Sequence, residues 1–126
     1  MLARDLVASV IKTFFEELED VRDGGGQKET TSPYANMYAT HFKKDREWFI
    51  KAETTEITTF FVDDPVYKLE MLVELLYRDA RQLTDAELQG ILYRKIIVLY
   101  EEIDLRSMAF SVERMNRVAE LKKWIE

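Results

Sequence analysis

The 126-residue chain has no cysteine, a single histidine and two prolines, and three of its four glycines are consecutive. The absence of cysteine excludes disulfides, thiolate metal sites and a cysteine nucleophile. No segment approaches the roughly 20 apolar residues that a membrane-spanning helix needs. The apolar stretch from Leu6 to Ile11 follows Asp5 and is interrupted by Lys12, whereas a signal peptide needs a basic lead and a longer apolar region. We therefore expect a cytoplasmic protein with no membrane partner.

The chain also lacks a surplus of basic residues, since 18 lysines and arginines face 24 acidic residues and the net charge is -6. Proteins that bind nucleic-acid phosphates normally carry excess positive charge. The segment from Phe42 to Phe49 interleaves basic and aromatic residues, a pattern that can stack single-stranded bases. Asp45 and Glu47 offset its charge. We expect no nucleic-acid partner.

Motifs that carry chemistry are equally scarce. His41 is the only histidine, and the residue three positions before it is Tyr38, so the Glu-x-x-His pairs of di-metal helical bundles are missing. The run Gly24 to Lys28 lacks the spacing of a P-loop and the Ser or Thr that would follow the lysine. The sequence predicts no catalytic residue, no metal site and no cofactor, and we expect a protein that is not an enzyme.

What the sequence does contain is a pattern of helices. With 47% hydrophobic and 33% charged residues, the composition is typical of a globular domain, and a chain of this length buries roughly two-thirds of its unfolded surface. Apolar residues recur at spacings of three and four, which predicts helices. The predicted elements are a helix at about 2–22, a flexible loop at 23–33, irregular aromatic-rich short helices at 34–63, and helices at 65–83, 85–104 and 112–125.

Residues typical of helix ends support the last three helices. Proline favours the first helical position, and a Ser/Thr-x-x-Glu capping box favours a helix start. The signals are Asp64–Pro65, the box Thr84–Glu87, and Ser111 flanked by Phe110 and Met115 as a hydrophobic staple.

The interior of the aromatic segment leaves two interpretations open. Threonines at positions 54, 55, 58 and 59 lower helix propensity, so a strand from Glu56 to Val62 is the alternative to short helices. We favour helices because the apolar residues there do not alternate and no second strand is available. The predicted fold class is an all-α, single-domain antiparallel helical array or bundle, with tetratricopeptide-like packing as one geometry.

Helix 85–104 is the most apolar, and its apolar positions cover about half of the helical circumference, more than docking on one neighbour requires. We expect it to be central, with Ile96 and Leu99 buried. The last helix is expected to bury Met115, Val118, Ala119 and Ile125.

Several segments resemble those of small bacterial all-helical proteins of unknown function. They are the opening Met1–Asp5, the leucine-rich Leu69–Ala80 and the closing Phe110–Arg114, and the likeness extends over the first fifth and the last half of the chain. The resemblance implies a helical fold and a bacterial source, and it implies no activity.

The aromatic segment is the strongest sequence-based candidate for function. Its side chains either complete the core or form a surface for a partner, because aromatics are enriched at interface hot spots. The predicted partner-binding residues are Tyr38, Phe42, Trp48 and Phe61.

We expect a non-enzymatic intracellular protein-interaction module that binds a protein partner or self-associates as a homodimer. The alternative is a small-molecule-binding protein or weak enzyme with a pocket between helices, which would use Tyr93, Tyr100 or His41 as polar groups.

Overall fold

The computed structural model describes residues 2–21 and 32–125, with side chains from residue 6 onward. These residues form seven helices and no strand, which confirms the predicted all-α, single-domain helical array. Tetratricopeptide-like packing is not confirmed. The helices are α1 (Leu2–Asp20), α2 (Ala35–Phe42), α3 (Arg46–Lys51), α4 (Thr54–Phe60), α5 (Val66–Arg81), α6 (Ala86–Ser107) and α7 (Val112–Ile125).

The long helices lie close to their predicted bounds. Helix α5 is shorter than the predicted 65–83, and α6 continues three residues beyond the predicted end at 104, to Ser107. The predicted loop at 23–33 falls largely outside the described residues, which resume at Ser32.

Two of the predicted helix starts are displaced by one residue. Pro65 is itself the N-cap of α5, so the first helical residue is Val66. At α6 the cap is Asp85 rather than Thr84, because the Asp85 carboxylate accepts hydrogen bonds from the amides of Glu87 and Leu88 at 3.0 and 3.2 Å. A carboxylate at this position also interacts favourably with the positive end of the helix dipole.

The start of α7 agrees with the prediction only in part. The Ser111 hydroxyl accepts a hydrogen bond from the Arg114 amide at 3.2 Å, as expected of a cap. The flanking Phe110 and Met115 are, however, 78% and 50% exposed. Any contact between them leaves at least half of each side chain in water.

The aromatic segment consists of short helices, so the strand alternative for Glu56–Val62 is wrong. Local caps stabilise helices too short to persist alone. The Asp45 carboxylate accepts from the Trp48 amide at 2.9 Å at the start of α3. The start of α4 has a capping box that the sequence analysis did not identify, formed by Glu53 and Glu56.

Helix α6 is central, as predicted: it packs most extensively on α5 and also contacts α7 and α4. Ile96 and Leu99 are fully buried. The prediction for α7 is wrong at Met115 and Ala119, which are exposed. Helix α7 packs mainly on α6 and buries a narrow strip, which comprises Val118, Leu121 and Ile125.

Two basic side chains connect α6 to the segment that precedes α5. Lys95 donates to the carbonyls of Ile50 and Ala52, the latter at 2.7 Å. Burial lowers the pKa of Lys95, and the nearby charges of Glu53 and Glu56 offset this only in part. Farther along α6, Arg106 donates to the carbonyls of Phe61, at 3.1 Å, and Asp64. The aromatic segment is therefore held against α6 by charge-assisted hydrogen bonds as well as by apolar packing.

Within the described ranges, none of the helices has the length and apolar character needed to cross a membrane.

Candidate functional site

The four predicted partner-binding aromatics lie mostly in the interior. Tyr38, Phe42 and Phe61 are buried, whereas Trp48 is half-buried and packs against the core. The Phe42 ring makes edge contacts with the rings of Phe49 and Phe61, at centroid distances of 6.2 and 6.0 Å. The structure therefore gives these side chains a core role. Partner binding by the four stays a prediction, and a partner that approached the folded surface would not reach three of them.

The most concentrated polar site in the described residues is centred on Asp79 of α5, whose side chain is fully buried. Its carboxylate accepts from the Tyr38 hydroxyl at 2.6 Å and from the Arg46 guanidinium at 2.7 and 3.2 Å. Ser32 and Gln82 donate at 2.9 and 3.0 Å. One carboxylate thus joins α2, α3 and the residues before α2 to α5.

The pKa shifts of Tyr38 and Arg46 favour the protonation states in which both side chains donate to Asp79. Burial raises the pKa of the Tyr38 phenol well above its ordinary value, and the neighbouring charge of Asp79 raises it further. Burial alone would lower the pKa of Arg46, but its hydrogen bonds to Asp79, the charge of that carboxylate and the neighbouring Tyr38 together outweigh burial and raise the pKa. A neutral phenol and a charged guanidinium therefore both donate to the carboxylate. With its acceptor positions occupied and no exposed surface, Asp79 stabilises the helix packing and has no open side for a substrate.

A cleft of about 610 Å³ lies between α5, α6 and α7, with Phe15 of α1 at its edge. This volume is within the range of small-molecule pockets. Arg117 of α7 occupies its wall and donates to Glu74 at 2.5 Å and to the Tyr100 hydroxyl at 3.1 Å. The same guanidinium lies 4.0 Å from the centre of the Tyr77 ring, a cation–π distance.

Two of the charged groups that line this cleft, Glu74 and Arg117, satisfy one another. Burial would lower the pKa of Arg117, but Tyr100 and Glu74 outweigh it and raise the pKa. Burial raises the pKa of Tyr100, although the adjacent Arg117 opposes the effect. Glu74 is bound from its other side by Arg78 at 2.9 Å. The cleft is a preformed concave site whose polar wall is an ion-paired network.

The structure does not bring the three predicted polar groups together. Tyr100 lines the cleft, but Tyr93 packs near Trp124 at a ring distance of 6.3 Å. His41 lies beside Glu17, with 3.1 Å between Nε2 and the carboxylate oxygen, and its ring contacts Phe14. Neither Tyr93 nor His41 lines the cleft.

The largest concentration of exposed apolar side chains in the described residues lies where α6 ends and α7 begins. We call these residues the α6–α7 surface: Leu105, Met108, Phe110, Val112 and Met115, which are 75%, 92%, 78%, 58% and 50% exposed.

The backbone of this region is held in place by local polar contacts. Met108 closes α6 in the left-handed conformation, with φ of 52°, and its amide donates to the Asp104 carbonyl at 3.0 Å. Arg114 donates to the Asp104 carboxylate at 2.7 Å and to the Ala109 carbonyl at 3.0 Å. The exposed side chains consequently project from an ordered turn. Sequence reasoning missed this surface because it interpreted Phe110 and Met115 as a local staple.

No group of three or more histidine or acidic side chains in the described part of the chain is arranged to hold a metal ion. No protein-family model, curated protein or solved structure matches this chain.

Proposed function

We propose that this protein is a non-enzymatic, cytoplasmic protein-interaction module whose binding site is the α6–α7 surface. The observation that carries the proposal is the exposure of five large apolar side chains within eleven consecutive residues, 105–115. A hydrophobic residue exposed singly needs no explanation, but a concentration of them is typical of an interaction site.

The chemistry of these side chains suits recognition of another protein surface. Phe and Met are enriched at interfaces, and the unbranched Met side chain adapts to irregular partners. Met108 and Phe110 are the most exposed of the five, so they would bury the most surface on binding. Since Arg114 already fixes the turn, little backbone entropy is lost when a partner docks.

The experiment is capture of partners from the native host's lysate by the tagged chain, combined with light scattering on the purified protein. We expect a stoichiometric protein partner or a dimer, and we expect Phe110→Glu to abolish the association while circular dichroism stays unchanged. Leu6→Glu on α1 is the matched control, because Leu6 is also exposed, at 64%. Equal association by both variants and the wild-type chain would contradict the proposal.

The cleft between α5, α6 and α7 supports a second candidate, a small-molecule-binding protein. Its volume and the Tyr100–Arg117 pair on its wall are the specific observations. The test is a thermal-shift screen with metabolites and divalent metals, since a ligand of the native state raises Tm by mass action. A ligand of the cleft would lose its effect in Tyr100→Phe and keep it in Tyr93→Phe.

A further inference from the structure

The outward face of α6 carries a second, linear set of exposed apolar residues. Ile91, Val98 and Leu105 are 40%, 44% and 75% exposed and are spaced by seven. Seven residues are close to two helical turns, so the three side chains lie on one face. At 1.5 Å per residue the line is about 21 Å long. It meets the α6–α7 surface at Leu105, which belongs to both.

Two charges accompany this line of apolar residues. Arg94 and Glu101 are exposed, and helical geometry places both along the same flank of the line. They are separated by about 10 Å along the helix axis, too far apart to pair within one chain. Among the ion pairs of the described residues, neither takes part.

This pattern is self-complementary about Val98. Ile91 and Leu105 lie seven residues before and after it, Arg94 lies four before, and Glu101 lies three after. Consider two copies of α6 that face each other and are related by a two-fold axis perpendicular to the helices at Val98. The helices then run antiparallel, and the flank that carries Arg94 and Glu101 lies on the same side of the contact in both copies. Each apolar position then meets an apolar position, and each charge meets its opposite.

We infer that the occupant of this face is a second copy of the chain, paired through antiparallel α6 helices around a two-fold axis at Val98. Ile91 packs against Leu105 of the second copy, and Arg94 lies beside Glu101 of the second copy. A parallel pairing would turn this flank to opposite sides of the two helices, so that Arg94 would lie beside Lys95 of the second copy and Glu101 beside Glu102 of the second copy, which like-charge repulsion disfavours. The inference rests on the proposed function and specifies its partner.

A stable dimer needs more contact area than the paired α6 helices supply, and the antiparallel register brings further surface into the contact. The 22 residues of α6 span about 33 Å, and one helix face alone provides less than the roughly 800 Å² per partner of a stable interface. In the antiparallel register, Met108 lies at the level of Leu88 of the second copy. The α6–α7 surface of each protomer therefore extends the contact at both ends of the paired helices.

The absence of native cysteine allows a direct test by oxidative cross-linking of single-cysteine variants. Facing helices bring Cα atoms on a two-fold axis within disulfide reach. We expect Val98→Cys to form a covalent dimer, and Leu6→Cys, the exposed control, to remain monomeric. We also expect Ile91→Cys and Leu105→Cys to cross-link when mixed and not when each is oxidised alone. Cross-linking of Ile91→Cys or Leu105→Cys when oxidised alone would establish a parallel pairing and overturn the register.

Charge reversal tests the same register without cysteine. Sedimentation should show that Arg94→Glu weakens the dimer about tenfold or more, because two ion pairs are lost and two like-charge contacts are created. Adding Glu101→Arg should restore the wild-type dissociation constant. Lys51→Glu is the matched control, since Lys51 is exposed on α3 and the change in net charge is the same. A dimer that is indifferent to Arg94→Glu would overturn the inference.

These outcomes separate the inference from the proposal on which it rests. A purified monomer that captures another protein in a Phe110-dependent way would overturn the homodimer and leave the interaction module in place. A monomer that captures nothing through Phe110 would overturn both.

Discussion

The buried contact between Arg46 and Asp79 should make a large contribution to stability, and a double-mutant cycle can measure it. The perturbations are Arg46→Leu, Asp79→Asn and the two together. Arg46→Leu removes the two guanidinium hydrogen bonds at 2.7 and 3.2 Å. It leaves a carboxylate with no exposed surface and no cationic partner.

The magnitude follows from what remains around Asp79. Removing one partner of a buried ion pair lowers the free energy of unfolding by about 3–5 kcal/mol, because the charge of the other partner stays buried without compensation. Ser32, Tyr38 and Gln82 still donate to the carboxylate, so we expect a loss at the lower end, about 3 kcal/mol. For a domain of this size that corresponds to a decrease in Tm of about 11 °C.

The decisive result is whether Asp79→Asn raises or lowers the stability of the Arg46→Leu variant. Asp79→Asn removes the buried charge and retains the shape of the side chain, so Arg46→Leu/Asp79→Asn should be more stable than Arg46→Leu alone. Urea denaturation of the four proteins, followed by circular dichroism, gives the free energies. Equal stability of Arg46→Leu and wild type, or a double variant less stable than Arg46→Leu, would refute the reasoning.

Further predictions follow from single side chains. The raised pKa of Tyr38 in the folded state means that the unfolded phenol ionises first, so this contribution to stability is complete below about pH 10. It is lost as pH rises toward the folded pKa, and Tyr38→Phe should flatten the dependence of unfolding free energy on pH above 10. Leu99→Ala should cost about 2–5 kcal/mol in urea denaturation because it opens a cavity in the core, and a loss below 1 kcal/mol would contradict the burial of Leu99. Lys95→Met should cost about 1–3 kcal/mol because two carbonyls at the end of α3 lose their donor, whereas Arg94→Met should change the stability of the monomer little.

Much of the fold was predictable because its determinants are local. The apolar spacing of α5 and α6 appears directly in the sequence, and Asp45 caps α3 through the amide of a residue three positions along the chain. The bounds of α6 were less predictable. Its continuation to Ser107 depends on Met108 adopting a left-handed conformation, which a methionine does not signal.

The buried polar cluster could not be predicted, because its members are distant in the chain. Arg46 and Tyr38 lie 33 and 41 residues from Asp79, and no periodicity connects them. The aromatic segment presented the same difficulty, since exposure of Phe42 or Phe61 depends on how α4 packs on α6. The α6–α7 surface was not recognised because a staple and an exposed apolar surface place apolar residues at the same local positions.

The measurement that most directly tests the central claim is sedimentation of the purified protein over a wide concentration range, with partner capture from the host lysate in parallel. Wild type and Phe110→Glu are compared in both assays, and Leu6→Glu serves as the control. We predict an association that Phe110→Glu abolishes and Leu6→Glu retains. A wild-type chain that stays monomeric and captures no protein would contradict it, as would an association that both variants retain.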